Sequence, residues 1–486
     1  MRFKTSFFNK YRVEIFLFLT AFFIRFPFFF RDYIDKDEST FILMGQSIAD
    51  GHLPYDHLWD LKPPLLFYFF ALVEKAFPHS FFAIRFLGLI VVFLSAIVLM
   101  KIVKQAALKN GFLIALGYVV LSSEFGSLQG VMSEHFAALF MLIGLLFLLK
   151  ENTLKNVLIA GIAFGCSILC KLNYGYAIAA LIFVFIIENR KDLLRIIKPG
   201  FYLFVGIALP VIAIAIPFVF EKKLSLFVNS VFFAPLEYGR ATRVAAIEKL
   251  KSTWWIIAFA LVISGLALKR SGNKKSFVYY CVAILVGTIY TFYSSGVING
   301  HYLIEVYPFI LLLVFGILPK KPVQIKLSVA AIIIFLISFE SISEYYKLIS
   351  DKLSHSNKYQ RPGFIAVNEL KSEKLNNEKI FFADYHIGYW LLDKYPLTRS
   401  TTHPSNISRP YLFKYFGDSS KTSLDELKFV MERVKPNVIV SQSTDLEFFA
   451  DSSAENVYFR EMINKDFDLI FKDSAKRVYI WRRINP

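Results

Sequence analysis

The sequence predicts a polytopic α-helical membrane protein of about 11 transmembrane helices, with interfacial helices on its outer side and a small C-terminal extracytoplasmic α/β domain. Of its 486 residues, 56% are hydrophobic and 17% are aromatic. Apolar runs near the roughly 20 residues that cross a bilayer recur through the first two thirds of the chain. The net charge of +17 comes largely from Lys and Arg in the short links between these runs, so it indicates membrane topology and not nucleic-acid binding.

Each predicted span is an apolar run bounded by polar or charged links. The runs cover about residues 12–30, 80–103, 112–123, 132–149, 155–170, 174–187, 200–220, 253–268, 276–295, 302–318 and 323–343. The positive-inside rule favours a cytoplasmic N-terminus, because the links that would then lie inside hold more Lys and Arg. The first span is predicted to be retained, since its apolar core is long for a signal peptide and further spans follow. The predicted location is the cytoplasmic membrane.

The composition becomes that of a soluble protein near residue 348, which predicts a membrane module over 1–348 and a soluble domain over 349–486 outside the cell. Three segments read as strands, namely "KIFFAD", "NVIVSQ" and "RVYIWRR". Three read as helices, namely "GFIAVNELKSEKL", "SLDELKFVMERV" and "AENVYFREMINKDF". Their alternation predicts a small α/β domain. Every cysteine lies in a predicted span, so neither a disulfide framework nor a zinc motif is predicted.

The first outer loop, residues 31–79, carries an unusual amount of charge for this chain. Ser39–Asp50 is predicted to form an amphipathic helix in the membrane interface, with Asp37 or Ser39 as its cap. The turn "GHLPYDH" follows, and Pro63 and Pro64 open a second short helix, since proline suits a first helical turn. The apolar part of that second helix is too short to cross a bilayer.

Acids and a lysine in this loop suggest the handling of a phosphate-bearing lipid. Asp37 and Glu38 precede Lys62 of the "KPP" motif within one loop at the membrane surface. A carboxylate there can accept a proton from an attacking hydroxyl while a cation stabilises a leaving phosphate. The alternatives are plain: the acids are also typical of a solvated helix N-terminus, and a lysine can extend to phospholipid headgroups.

Several motifs together resemble the GT-C superfamily of membrane glycosyltransferases. They are "DE" at Asp37–Glu38, "IADGHLPY", "WDLKPPLLFY", "SEHF" at Ser133–Phe136 and "GHYLIEVYPF" at Gly300–Phe309. The pattern is most similar to the branch of protein O-mannosyltransferases and the bacterial aminoarabinose transferase of lipid A. The resemblance covers most of the membrane part. It implies transfer of a sugar from a polyprenyl-phosphate carrier to a lipid, glycan or protein acceptor on the outer face.

The resemblance also implies roles for individual residues. Asp37 matches the proposed catalytic base, Glu38 accompanies it, and Lys62 matches the lysine near the donor phosphate. Asp60 stands near an acid of the aminoarabinose branch, although Leu61 intervenes here. The remaining matches are Glu134 as an acid of the second outer loop, and His301 with Tyr302 as partners of the donor phosphate or sugar.

Other cations and several alternatives stay open. Arg243 could bind the donor phosphate in a bidentate manner or contact anionic lipid. Glu134 could simply mark the interface, and His301 could be a packed interfacial histidine. Arg25, inside the first span, needs a partner, for which Asp37 or the donor phosphate are candidates, while Lys171 is expected to contact headgroups. No cofactor is predicted with certainty; a divalent metal is compatible with the outer acids, but their spacing fixes no geometry.

The sequence therefore predicts an inverting glycosyltransferase that uses a polyprenyl-phosphate donor, with undecaprenyl favoured as the carrier. The alternatives are a transporter or flippase, a non-catalytic scaffold that uses the outer domain for binding, and a nearer alternative with the same chemistry. A transporter or flippase is expected to carry ionisable residues or broken helices near the bilayer midplane, whereas most predicted spans lack central acids. A polymerase or ligase of carrier-linked glycans would share both the topology and the carrier chemistry.

Overall fold

The computed structural model describes residues 10–32, 34–151, 153–242, 246–294, 299–354, 361–417 and 419–484. The chain forms two compact units that interleave along the sequence. We call them the helical unit, which comprises Met1–Phe29, Arg85–Ile216 and Gly239–Tyr346, and the sheet unit, which comprises Phe30–Ile84, Pro217–Tyr238 and Lys347–Pro486. The predicted division at residue 348 concerns membrane insertion and stays a prediction.

The protein is mainly helical, as predicted. In chain order the α-helices are α1 Arg12–Arg25, α2 Lys36–Ala49, α3 Pro64–Ala76, α4 Phe81–Gln105, α5 Gly111–Leu121, α6 Ser133–Leu148, α7 Leu154–Cys170, α8 Tyr174–Asn189, α9 Leu193–Phe220, α10 Leu224–Val228, α11 Ala234–Ala241, α12 Ala246–Arg270, α13 Lys275–Ser294, α14 Tyr307–Leu311, α15 Leu327–Ile337, α16 Phe339–Ser354, α17 Pro362–Ser372, α18 Ile387–Leu391, α19 Ser423–Lys428 and α20 Ala454–Asp466.

Every predicted span coincides with an apolar helical segment, but the segments differ in length. Among the described residues, 5 are long and apolar enough to cross a membrane, or 6 if a pair bent by 70° counts as one span. That pair is Leu327–Ile337 with Phe339–Leu353. The shorter apolar helices, of 10–17 residues, are Gly111–Leu121, Ser133–Leu148, Leu154–Cys170, Tyr174–Asn189 and Tyr307–Ile317. Apolar length predicted the positions of the helices better than it predicted full crossings.

Small residues let helices of the helical unit pack backbone to backbone. A Cβ atom at Gly161 of α7 would lie 2.4 Å from the Leu203 carbonyl oxygen of α9. A Cβ at Gly206 would in turn lie 2.5 Å from the Leu158 carbonyl oxygen. Such close approach between small residues is the usual packing mode of membrane helices, where dispersion and not the hydrophobic effect drives association.

The sheet unit contains a mixed four-stranded sheet of strand order β1-β2-β4-β3. The strands are β1 Ile380–Phe382, β2 Val438–Ser441, β3 Phe467–Asp473 and β4 Val478–Arg483. The pair β1 and β2 is parallel, and the other neighbours are antiparallel. The three predicted strands and three predicted helices are present, which confirms the small α/β domain. Strand β3 was not predicted, because only Phe467 of its seven residues is buried and its solvent-facing composition gives no alternating pattern.

A candidate active site around Asp37 and Lys62

The N-terminal ends of helices α2 and α3 lie close together in the sheet unit. Asp37 meets Lys62 at this end, and eight residues further along each segment a Cβ at Gly45 would lie 2.6 Å from the Phe70 Cβ. The helices therefore run in the same direction, and Gly45 allows their close packing. Since both N-terminal ends carry partial positive charge, this end of the pair favours an anion.

Two expectations for α2 are wrong. Its cap is Asp35, whose carboxylate accepts a hydrogen bond of 2.9 Å from the Asp37 amide, and not Asp37 or Ser39. The helix was also expected to be amphipathic, but Glu38–Ser47 is buried without a break. Polar residues such as Thr40 and Gln46 are buried because they bond within the unit, to His386 and Asp393 respectively.

Asp37 and Lys62 form an ion pair. The Lys62 ammonium donates a hydrogen bond of 2.9 Å to Asp37 Oδ2, and each side chain is 22% exposed. The ammonium also lies 5.6 Å from the centre of the Phe41 ring. The structure thus brings together the predicted base and the predicted phosphate-binding cation, in a place that solvent can reach.

The loop before Lys62 is held in an unusual backbone conformation. Tyr55 is fully buried at φ 70°, in the left-handed region that bulky side chains rarely adopt. Its hydroxyl donates a hydrogen bond of 2.7 Å to the Lys62 carbonyl oxygen. Asp60 Oδ2 accepts a hydrogen bond of 3.2 Å from the Lys62 amide. Both contacts fix the backbone of Lys62, so the observed contact of Asp60 is with the loop backbone.

His403 is a neighbour of Asp37 that sequence reasoning missed. Its Nε2 lies 3.5 Å from Asp37 Oδ1, whereas the Lys62 ammonium bonds to Oδ2, and the side chain is nearly buried. Its Nδ1 accepts a hydrogen bond of 3.1 Å from the Ser405 amide. The only sequence signal would have been a histidine in the polar stretch "STTHPSN", and nothing in its spacing points to the first outer loop.

Trp59 connects the Lys62 loop to the segment that carries His403. Its amide donates to Thr402 Oγ1 at 3.2 Å, and its carbonyl accepts from Asn406 Nδ2 at 3.3 Å. Its indole N–H donates to Ser230 Oγ at 3.0 Å, and the side chain is fully buried. Because these bonds flank His403, they fix its backbone relative to Lys62.

The other predicted acids and aromatic partners lie elsewhere. Glu38 is buried in α2. Glu134, His301 and Tyr302 belong to the helical unit, where Glu134 contacts the Lys171 ammonium. The same ammonium lies 2.8 Å from Glu305 and 3.7 Å from the centre of the Tyr302 ring.

This second cluster is deeply buried and was not foreseen. His301 Nε2 lies 3.6 Å from Glu134, and Lys171, Glu134 and Glu305 have side chains no more than 5% exposed. The expectation that Lys171 contacts lipid headgroups is therefore wrong, because two carboxylates enclose it. Glu305 was missed because "GHYLIEVYPF" reads as the start of an apolar span.

The remaining cations have different outcomes. Arg243 lies outside the described residues. Arg25 donates to the carbonyls of Leu128 at 2.8 Å and Gly130 at 2.6 Å, which makes it a cross-link between segments of the helical unit. Arg85 is buried and donates a hydrogen bond to the Phe28 carbonyl.

No group of three or more His, Cys, Asp or Glu side chains in the described part of the chain is arranged to hold a metal ion. In the two clusters above, lysine ammonium groups lie against the carboxylates. These residues as placed do not fit a divalent metal.

The comparisons with known proteins agree on the fold. A family model described as dolichyl-phosphate-mannose-protein mannosyltransferase matches residues 61–218, which is less than half of the chain. ArnT from Cupriavidus metallidurans bound to undecaprenyl phosphate is similar over 97% of this chain and 98% of that one, with a TM-score of 0.59 at 12% identity. Its apo state gives a TM-score of 0.56 at 11% identity, over the same shares of the two chains.

A further similar structure is the oligosaccharyltransferase of Archaeoglobus fulgidus tethered with an acceptor peptide containing the NVT sequon. It is 13% identical, with a TM-score of 0.50, over 98% of this chain and 74% of that one. No curated protein matches the sequence significantly.

The chain thus shares its fold with ArnT and with the archaeal oligosaccharyltransferase, and about a third of it matches the mannosyltransferase family model. The resemblance to the GT-C superfamily that the loop motifs predicted is confirmed.

Proposed function

We propose that this protein is an inverting glycosyltransferase that moves a sugar from a polyprenyl-phosphate carrier to an acceptor at the outer face of the cytoplasmic membrane. The observation that carries the proposal is the Asp37–Lys62 ion pair, with 2.9 Å between its charged atoms and partial exposure on both sides. The pair supplies a proton acceptor and a cation side by side, which transfer from a phosphate carrier needs.

The proposed reaction uses each member of the pair once. The acceptor hydroxyl or amine gives its proton to Asp37 while its oxygen or nitrogen attacks the anomeric carbon. The bond from that carbon to the phosphate oxygen breaks, and the electron pair leaves with the polyprenyl phosphate. Lys62 stabilises the charge that develops on the phosphate, and the shared N-terminal ends of α2 and α3 add to this field.

Donor binding must change the partner of Lys62. In the free protein its ammonium neutralises Asp37, which makes the carboxylate a poorer base. A donor phosphate competes for the ammonium and leaves Asp37 Oδ2 available to the acceptor. Partial exposure of the pair makes this exchange easy, because pairs that water can reach contribute only about 1 kcal/mol to stability.

The carrier in the ArnT structure is undecaprenyl phosphate, and we propose the same kind of carrier here. The donor roles of His301 and Tyr302, the acidic role of Glu134 and the catalytic support from Glu38 remain separate proposals. His301→Gln tests the first of them, because it should raise the donor KM if the imidazole contacts the donor and leave that KM unchanged if it does not.

The experiment is a transfer assay on purified protein in nanodiscs. Undecaprenyl phosphates carrying radiolabelled hexoses or amino sugars are supplied with a membrane extract as acceptor, and released undecaprenyl phosphate is measured. Asp37→Asn should lower the rate by about 10² to 10⁴. Asp35→Asn is the matched control, since Asp35 caps the same helix turn. An Asp37→Asn protein as active as the control would contradict the base assignment.

Lys62 is tested by binding. Lys62→Met should weaken binding of undecaprenyl phosphate by about tenfold, because a charge-assisted contact to phosphate is lost. Lys36→Met is the control, since Lys36 forms a comparable exposed ion pair with Glu447 in the same unit. Equal affinity in the two variants would remove Lys62 from the phosphate site.

The proposed orientation has its own test. Ser474→Cys places a thiol in the β3–β4 turn of the sheet unit, and a membrane-impermeant maleimide should label it in intact cells. Lys320→Cys, in a link predicted to be cytoplasmic, should react only after lysis. The opposite pattern would reverse the topology.

A further inference from the structure

We infer that His403 is a positioning residue that holds Asp37 in its working orientation by donating a hydrogen bond from Nε2. The inference rests on the proposed function for its catalytic meaning, while the contact itself lies within the sheet unit alone. His403 Nε2 is 3.5 Å from Asp37 Oδ1, and Lys62 Nζ is 2.9 Å from Oδ2. The two carboxylate oxygens thus have different partners.

The hydrogen bond that Nδ1 of His403 accepts determines which ring nitrogen carries the proton. Nδ1 accepts from the Ser405 backbone amide, which can only donate. A neutral imidazole with an accepting Nδ1 must carry its proton on Nε2, the atom that faces Asp37. The ring therefore presents an N–H to Asp37 Oδ1, 3.5 Å away, and cannot take a proton from the carboxylate while the amide contact persists.

Ser405 strengthens this arrangement. Its hydroxyl lies 2.7 Å from the same Nδ1, so two groups of one residue orient the ring. The ring also packs against Phe448, with 6.2 Å between ring centres, and lies 5.8 Å from the ring of His386. A nearly buried imidazole with a fixed tautomer is expected to limit the rotation of Asp37 when Lys62 turns to the donor phosphate.

The other histidine nearby has a different role. His386 Nε2 bonds to Thr40 Oγ1 at 2.9 Å, and burial keeps its pKa well below the usual range. The charged and titratable groups around Asp37 include Lys62 and His403 in contact and His386 through the electrostatic field, while Lys36 acts on His386. Because its Nε2 bonds to Thr40, His386 serves as a matched histidine control.

The test measures the protonation of Asp37 and does not depend on sugar transfer. Dicyclohexylcarbodiimide reacts with protonated carboxyl groups, and mass spectrometry of the labelled peptide gives the pH midpoint for Asp37. In His403→Ala this midpoint should rise by about one pH unit, because the carboxylate loses a donor. His403→Gln keeps an N–H close to the Nε2 position, so it should restore the midpoint. His386→Ala should leave the midpoint unchanged.

Transfer supplies the second measurement. His403→Ala should lower kcat about tenfold at unchanged donor KM, and His403→Gln should recover most of it. If His403 accepted a proton instead, Gln would be as slow as Ala, which would overturn the inference. An unmoved labelling midpoint in His403→Ala would also overturn it, even in a protein that folds normally.

The two proposals fail in different ways. If the wild-type protein transfers no sugar from any polyprenyl-phosphate donor, the proposed function fails, whereas the labelling midpoints still test the contact between His403 and Asp37. If transfer depends on Asp37 but the midpoints of His403→Ala and wild type coincide, only the positioning role is lost. Melting temperatures of all variants separate both outcomes from misfolding.

Discussion

Two lysine–carboxylate clusters of this protein differ in exposure and in charge balance. In the sheet unit, Lys62 faces one carboxylate, and both side chains are 22% exposed. In the helical unit, Lys171 faces Glu134 and Glu305, and all three side chains are buried. Water screens the first pair, so either partner can leave it at little cost, whereas each member of the second cluster holds the others in place.

The Lys62 ammonium can exchange its carboxylate partner for another anion, whereas the Lys171 ammonium cannot. A substrate phosphate can displace a partly exposed carboxylate from an ammonium, because water solvates the displaced group. Displacing a carboxylate from Lys171 would leave an uncompensated charge inside the helical unit. We therefore assign the transfer chemistry to Asp37 and Lys62 in our proposal, and we expect the buried cluster to respond to substitution mainly through folding.

The largest effect should follow Lys171→Met. Removing the ammonium leaves two buried carboxylates without their counter-charge, which is expected to cost about 3–5 kcal/mol. The yield of monodisperse protein in detergent measures this loss. The exposed Lys101→Met is the control, and Lys171→Met combined with Glu134→Gln and Glu305→Gln should recover part of the yield. A Lys171→Met protein as well folded as Lys101→Met would remove the contrast between the clusters.

The next largest effect should follow the replacement of Asp384, a buried acid of the sheet unit. This substitution should raise stability, whereas Lys171→Met lowers it. Burial raises the pKa of Asp384 to about 6, although its carboxylate accepts a hydrogen bond from the Gln442 amide. The folded protein therefore holds a proton that the unfolded chain releases between about pH 4 and pH 6, and wild-type stability falls across that window. Asp384→Asn avoids this loss and should be more stable by about 3 kcal/mol at pH 7.5.

Melting temperatures in detergent, compared between pH 4 and pH 8, check this prediction. The gain of Asp384→Asn over wild type should be near zero at pH 4, grow up to about pH 6 and stay constant above it. Asp468→Asn, at an exposed position on β3, should show no such trend. A gain independent of pH would mean that the charge of Asp384 is not its cause.

The sequence was informative wherever local pattern decides structure. Apolar run length located the helical segments, and short runs rich in β-branched and aromatic residues located β1, β2 and β4. Pro63 and Pro64 marked the start of α3 because proline suits a first helical turn. The motif spacing also selected Asp37 and Lys62, which the fold brings together by pairing the starts of α2 and α3.

The sequence was uninformative where partners are distant along the chain. His403 and Lys171 become neighbours of acids only through tertiary packing, and one sequence without an alignment carries no record of such pairs. The partners of Arg25 were not predictable either. A cation in an apolar run needs acceptors, but only the fold reveals that backbone carbonyls supply them. Local pattern thus predicts elements, while the pairing of charges depends on packing.

A smaller effect should follow Tyr55→Phe, which tests whether Lys62 is pre-positioned. The substitution removes the hydrogen bond to the Lys62 carbonyl and should cost about 1 kcal/mol, since the acceptor loses its partner. Affinity for undecaprenyl phosphate should fall about threefold, because the loop no longer fixes the lysine. Tyr68→Phe, on the adjacent helix α3, is the control. Unchanged affinity in Tyr55→Phe would show that Lys62 finds the phosphate without this support.

The smallest effect on stability should follow Lys62→Met, and it bears most directly on the comparison. An exposed pair contributes about 1 kcal/mol or less, so the melting temperature should change by no more than a few degrees. Phosphate binding should nevertheless weaken about tenfold in the same protein, as proposed above. High salt should narrow the affinity difference between wild type and variant, because the contact is electrostatic and reachable by water. A large loss of stability instead would mean that Lys62, like Lys171, is needed for the fold.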